Sequence, residues 1–220
     1  MANYRPVFNV TFMSKIVELA VSQQHHQYLA DNDLLPRYQS SYRRHHSTET
    51  AMLRVLFDVL TVADAQQVTL LGLLDLSAPF DCVDRQLLLQ RLRRDFGFTD
   101  TVLAWTTSFV TGRTHKCYTR AAFQLFSLSS TWSHRPQGSV LGLILFVLYT
   151  AEIDRIVAQL GIKFHQYADN CQIYVATSVS EVHSAFDQLS RCLHDVDVWM
   201  SASRLRLNAS KTSAVARLPA

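Results

Sequence analysis

Apolar and polar positions alternate along this chain with several distinct periods, and each period predicts a different element. From Ser14 to Leu35, Ile16, Val17, Ala20, Val21, Tyr28 and Leu29 recur at near-helical spacing until Pro36 ends the pattern. Ser47 is a good N-cap for a second helix, with Glu49 in its first turn and Met52, Leu53, Leu56, Val59 and Leu60 as the expected buried face. Val68 to Leu76 is a near-continuous apolar run, the pattern of a strand covered on both faces. Asp84 then caps a third helix whose Leu88, Leu92 and Phe96 fall four apart, with Gly97 as its stop. A fourth helix is predicted from about Asp100 to Val110, ending at Gly112, and a pair of strands between His115 and Trp132. Ser139 to Leu160 reads as one long apolar helix. Strand, tight turn and strand follow around Asp169-Asn170, then a helix from Ser180 to about Ser201 and a last strand near Thr212 to Leu218.

Composition narrows the class without choosing a function. A chain of 220 residues, 48% hydrophobic and 18% charged, can bury a substantial core, which argues against disorder. Its formal net charge of +3 is mild, so any contact with nucleic acid must come from local clusters such as Arg37 with Arg43 and Arg44, or Arg113, Lys116 and Arg120. Arg91, Arg93 and Arg94 lie on a helical pattern and read as a solvated face. Cys82, Cys117, Cys171 and Cys192 lack Cys-x-x-Cys spacing, which argues against a zinc module or a disulfide scaffold and fits a reducing compartment. Met1 to Asn9 has no apolar core of a signal peptide, and the apolar run Val140 to Tyr149 is too short to span a bilayer. The expectation is an intracellular protein, nuclear or cytoplasmic, with no membrane partner.

The chemistry gathers at two short stretches. Tyr167-Ala168-Asp169-Asn170 sits at a predicted hairpin tip, and Leu74-Asp75-Leu76 closes the buried strand. Two carboxylates delivered by separate strands suit a two-metal centre, in which paired divalent ions stabilise the attacking and leaving oxygens of an in-line phosphoryl displacement. Mg²⁺ takes hard oxygen ligands and one or two carboxylates. That is the layout of a polynucleotide polymerase palm. An acidic residue ending a buried strand can also be a simple turn-former.

Longer stretches extend the comparison. Asn3-Tyr4-Arg5-Pro6-Val7, Gln39 to Ala51 (QSSYRRHHSTETA), Leu73 to Asp81 (LLDLSAPFD), Thr111-Gly112-Arg113, Arg135 to Gly142 (RPQGSVLG), Tyr167 to Asn170 and Leu205 to Thr212 (LRLNASKT) occur in this order. Together they resemble the reverse transcriptase domain of LINE-type, non-LTR retrotransposons. The resemblance implies an α+β fold, the fingers and palm of a right-hand polymerase, with an antiparallel palm sheet packed with helices. Residues 1–66 would be a fingers-like helical portion and 67–220 the palm carrying the catalytic motifs. The thumb is expected to be absent, as is the endonuclease domain that often precedes such domains.

The same resemblance assigns roles. Asp75 and Asp169 would be metal ligands and catalytic residues, with two Mg²⁺ ions as cofactors. Lys211 would assist departure of pyrophosphate, an exposed lysine near a strand being the alternative. Arg43 would grip the triphosphate, Phe80 would pack beneath the sugar as a steric gate, and Gln137 with Gly138 would form the template-and-nucleotide loop. Partners would be an RNA template, a DNA primer and deoxynucleoside triphosphates. Asn170 stands where the family has a metal-binding Asp, and Pro79, His134 and Arg135 also depart from its pattern. Two readings therefore stand: an RNA-directed DNA polymerase domain with weakened metal binding, or a catalytically inactive remnant that at most binds nucleic acid.

Overall fold

A computed structural model of the chain describes residues 11–76, 82–111, 117–119, 122–124, 139–208 and 210–217. Its elements, in chain order, are α1 (Phe12–Asp31), α2 (Thr48–Asp64), β1 (Val68–Asp75), α3 (Arg85–Phe96), α4 (Asp100–Val110), β2 (Cys117–Thr119), β3 (Ala122–Gln124), α5 (Val140–Thr150), α6 (Glu152–Gln159), β4 (Lys163–Tyr167), β5 (Asn170–Thr177), α7 (Val182–Ala202) and β6 (Ser213–Arg217). They divide between two compact units, one of residues 1–34 and 80–149 and the other of 35–79 and 150–220. Among the described residues, no helix is long and apolar enough to cross a membrane.

The first unit holds α1, α3, α4, most of α5 and the antiparallel pair β2 and β3. The predicted capping of α3 is present: the Leu87 amide donates to Asp84 Oδ1 at 2.9 Å, and Leu88, Leu92 and Phe96 are buried. Gly97 closes the helix at φ +67, where a Cβ would also come within 3.0 Å of the Tyr28 hydroxyl. That hydroxyl donates to the Phe96 carbonyl at 3.0 Å. Gly97→Ala is therefore expected to lose about 1–2 kcal/mol in urea unfolding, from the left-handed backbone and the displaced tyrosine together.

Three expectations for this unit and the helix that leaves it are corrected. In α1 the stripe that packs inward is Glu18, Ser22, His25 and Leu29, while Ile16 and Val17 are nearly half exposed. Two of its polar members have distinct partners: Glu18 meets the start of α5, its Oε2 accepting from the Ser139 hydroxyl at 2.7 Å and from the Val140 amide at 3.0 Å, and His25 packs on the Phe98 ring. A carboxylate satisfies donors that a helix N-terminus leaves open. Arg91 is not solvated but 6% exposed, its guanidinium 4.6 Å from the Tyr149 ring and donating to the Tyr149 carbonyl at 2.7 Å. The expected single helix from Ser139 is two, α5 and α6, with Ala151 between them. The first is buried nearly throughout, whereas the second buries Ile153 and Val157 and carries Glu152 and Asp154 in its first turn, where acidic side chains favour a new N-terminus.

The second unit is built on a four-stranded antiparallel sheet in the order β4-β5-β1-β6. Helix α7 packs on β1, β5 and α6, burying Ala185, Leu189, Cys192, Val196 and Met200, and α2 packs on β1 and β4. The Ser47 cap is a reciprocal box with Thr50. The expected inner face of α2 is only partly right. Ala51, Val59 and Val62 are buried, whereas Met52, Leu53, Leu56 and Leu60 are exposed. Strand β1 is likewise not covered equally: Leu70, Gly72 and Leu74 are buried, and Leu71, Leu73 and Asp75 are half-buried. The two corrections share a cause, because Met52, Leu56, Leu71 and Leu73 border an open cleft.

Candidate active site

Asp75 is the last residue of β1 and pairs directly with Asn170, the first residue of β5. Directly opposed residues of an antiparallel pair have their Cα atoms about 4.5–5.5 Å apart and their side chains on the same face. Strand β4 pairs with β5 from Lys163 and Tyr174 down to Tyr167 and Asn170, leaving Ala168 and Asp169 as a two-residue loop. Asp169 thus adjoins the residue facing Asp75. The predicted hairpin is present, and its left-handed residue is Ala168, at φ +56.

Two contacts fall on Asp75 Oδ2. Asn208 Nδ2 donates to it at 3.2 Å and Lys211 Nζ lies at 3.3 Å. The Asn208 amide also donates to the Asp75 carbonyl at 2.8 Å, and Leu207 bridges to Leu76, so the Leu205 to Thr212 stretch is fastened to the end of β1. Lys211 is therefore gathered with Asp75 and Asn170. Arg43, half-buried, donates from its guanidinium to the Pro36 carbonyl at 2.6 Å. Phe80, Gln137 and Gly138 lie outside the described residues, as do Pro79, His134 and Arg135.

Cys171, on β5, is acted on by both aspartates. Full burial pushes the Cys171 thiol far above its ordinary value, and the carboxylates of Asp169 and Asp75 push it in the same direction. Both negative charges are felt at one buried residue next to Asn170. The Tyr42 phenol is also raised, first by burial and then by Asp169 and Tyr167. Tyr42 and Asn208 are site neighbours to which no role was assigned from sequence. Asn208 stood in plain view in a motif, and its helical or strand context offered no sign that its amide would meet Asp75.

The donor set can be tested against a divalent ion. Among the described residues no group of three or more His, Cys, Asp and Glu side chains stands close enough to hold a metal. What remains is two carboxylates and the neutral amide of Asn170, all hard oxygen donors. That set fits Mg²⁺, which commonly takes one or two carboxylates and fills its shell with water and phosphate. Beside it opens a cleft of about 780 Å³, bordered by Asp75, Asn170, Lys211 and Tyr167 and by the apolar faces of α2 and β1.

Comparison with known proteins bears on the whole chain. The sequence profile of the family described as reverse transcriptase (RNA-dependent DNA polymerase) matches residues 1–218. The "Probable RNA-directed DNA polymerase from transposon X-element" of Drosophila melanogaster is 24% identical over 221 residues, covering 97% of this chain and 23% of that protein. The corresponding protein from transposon BS of the same organism is 21% identical over 215 residues, covering 96% and 23%. The chain thus spans about a quarter of the length of these relatives. Among solved structures, apo telomerase from Candida tropicalis truncated from its C-terminal domain superposes with a TM-score of 0.65 at 12% identity, over 93% of this chain and 41% of that one. Telomerase from the same organism in complex with a fragment of telomeric RNA gives 0.67 at 12% identity, over 93% and 34%. At such identities the likeness is one of fold: helices with an antiparallel sheet, the α+β class of polymerase fingers and palm.

Proposed function

The chain belongs to the reverse transcriptase (RNA-dependent DNA polymerase) family, in its LINE-type, non-LTR branch, and from that premise we propose that it extends a DNA primer on an RNA template from deoxynucleoside triphosphates, with Asp75 and Asp169 as the metal-holding carboxylates. The family depends on divalent metal in general. The observation that carries the residue assignment is the register of the sheet, in which Asp75 faces Asn170 and Asp169 sits in the adjoining turn. In this reading residues 1–66 correspond to fingers and 67–220 to palm.

Two Mg²⁺ ions, when bound, would supply charge stabilisation to the attacking and leaving oxygens of the displacement. Asp75 and Asp169 would hold those ions in place. Lys211, at 3.3 Å from Asp75, would donate a proton or a charge-assisted hydrogen bond to departing pyrophosphate, a role its closeness to Asp75 supports. Arg43 would exchange its Pro36 carbonyl for phosphate oxygens, which its planar fork binds well. Phe80 would pack under the sugar, and Gln137 with Gly138 would line the template side.

One observation favours a second reading, that this copy binds nucleic acid without catalysis: Asn170 contributes no charge where a carboxylate would face Asp75. Primer extension on an RNA template with Mg²⁺ or Mn²⁺ separates the two. Metal-dependent synthesis that vanishes in both Asp75→Ala and Asp169→Ala supports the polymerase. Synthesis that survives either substitution rejects the assignment of these ligands, and RNA binding alone, weakening steeply with salt, supports the remnant.

A further inference from the structure

Gln39 belongs to a stretch in which Arg43 alone was given a role in binding substrate, yet it is 2% exposed and bonded to the turn that bears Asp169. The segment around it runs beside β4 as a parallel neighbour. The Ser40 amide donates to the Gln166 carbonyl at 2.9 Å, and the Gln166 amide donates to the Tyr38 carbonyl at 2.8 Å. Gln39 Oε1 accepts from the Ala168 amide at 3.0 Å, and Gln39 Nε2 donates to the Ala168 carbonyl at 3.4 Å. The same Oε1 accepts from the Ser41 amide at 3.0 Å and the Ser41 hydroxyl at 2.8 Å. Gln166, equally buried, donates to the Ala168 carbonyl at 2.8 Å.

The bonds suit the geometry they hold. Ala168 adopts φ +56, a conformation that costs a non-glycine residue roughly 1–2 kcal/mol. A strained backbone persists only where its surroundings over-determine it. A carboxamide carries its acceptor and its donor on separate atoms, so it can accept from the N–H and donate to the C=O of one residue at once. An ionised carboxylate only accepts, and an alkyl group does neither. We propose that Gln39 is a positioning residue, fixing the Ala168-Asp169 turn and through it the aim of the Asp169 carboxylate. The proposal rests on the ion-binding reading of Asp75 and Asp169, and it adds a residue 130 positions away in sequence that acts without touching ion or substrate.

The test uses the whole 220-residue chain with Mn²⁺ as the probe, free ion being followed by electron paramagnetic resonance, together with amide hydrogen exchange at Ala168. Gln39→Asn keeps a carboxamide for Ser41 but is a methylene too short for Ala168; Gln39→Met removes all four side-chain bonds, two to Ala168 and two to Ser41. Either is expected to weaken Mn²⁺ binding about tenfold, the size of an outer-shell loss, and to speed Ala168 exchange at least about tenfold through loss of its acceptor. Adding Ala168→Gly, which adopts positive φ without help, is expected to restore Mn²⁺ affinity to within about threefold of Ala168→Gly alone. If Gln39→Met fails to fold by circular dichroism, Gln39→Asn decides. Unchanged Ala168 exchange, unchanged affinity, or no rescue by glycine overturns the role of Gln39. A parent chain whose Mn²⁺ binding ignores Asp75→Ala and Asp169→Ala overturns the ion-site reading instead, and Ala168 exchange then still reports whether Gln39 holds the turn.

Discussion

Asn170→Asp is expected to tighten divalent-ion binding by about 100-fold and to raise primer extension in step. Asn170 is exposed at the start of β5 and faces Asp75. A full negative charge there adds Coulomb attraction of a few kcal/mol to a nearby cation at an effective dielectric of about 20, before its own desolvation is subtracted. About 2.7 kcal/mol would survive at 100-fold. The substitution has an opposite effect on the ion-free protein. Like charges directly across an antiparallel pair repel, and Lys211, already at 3.3 Å from Asp75, offsets only part of that. The variant's Tm should therefore fall below the parent's in chelator and rise above it in excess Mg²⁺. Isothermal titration with Mn²⁺ and melting with and without Mg²⁺ read both signs. A variant that gains neither affinity nor ion-dependent stability would show that position 170 does not face the ions.

The elements that carry this chemistry were legible because their signals are local. A cap, a four-residue repeat and a glycine stop define α3 within Asp84 to Gly97, and a two-residue turn between apolar runs defines the β4-β5 hairpin. What periodicity does not encode is which face finds a partner. Met52, Leu53, Leu56 and Leu60 make as good a stripe on α2 as Ala51, Val59 and Val62, and only the position of β1 decides between them. Polar burial is harder still. Glu18, Ser22 and His25 hold helical spacing in plain sequence, but a reading that counts only apolar residues passes over them, and the Ser139 hydroxyl that explains Glu18 lies 121 residues away. Gln39 and Arg91 are hidden for the same reason: each is made necessary by a backbone carbonyl or amide that a distant segment brings to it. The roles of Asp75, Asp169 and Lys211 were expected from motif order, and what the sheet adds is a register.

His25 should make the first unit acid-sensitive in a window well above the carboxylates. Its ring is buried against Phe98, with centroids 4.8 Å apart, and Nδ1 has no hydrogen-bond partner. Burial, and to a lesser degree His26, lowers its pKa to about 4 from an ordinary 6.5. Above pH 6.5 the ring is neutral in both folded and unfolded chains and contributes no pH dependence. Below it the unfolded chain takes up a proton that the folded chain refuses until about pH 4, so stability falls as the pH falls through that window. At 1.36 kcal/mol per pH unit the loss is on the order of 3 kcal/mol by pH 4. His165 in the other unit is lowered as well, first by burial, and adds a slope of the same sign; Asp154, raised by burial, works the other way only near its own range. Trp105, stacked on Phe109 in α4, reports on the first unit, and Trp199, bonded to Glu152, on the second. Urea unfolding followed at Trp105 in a Trp132→Phe, Trp199→Phe background should therefore steepen in pH dependence between 6.5 and 4. His25→Phe, which keeps the ring contact and removes the titration, should flatten it. Parallel pH profiles for the two proteins would mean that His25 is protonated as readily in the folded state as in the unfolded one.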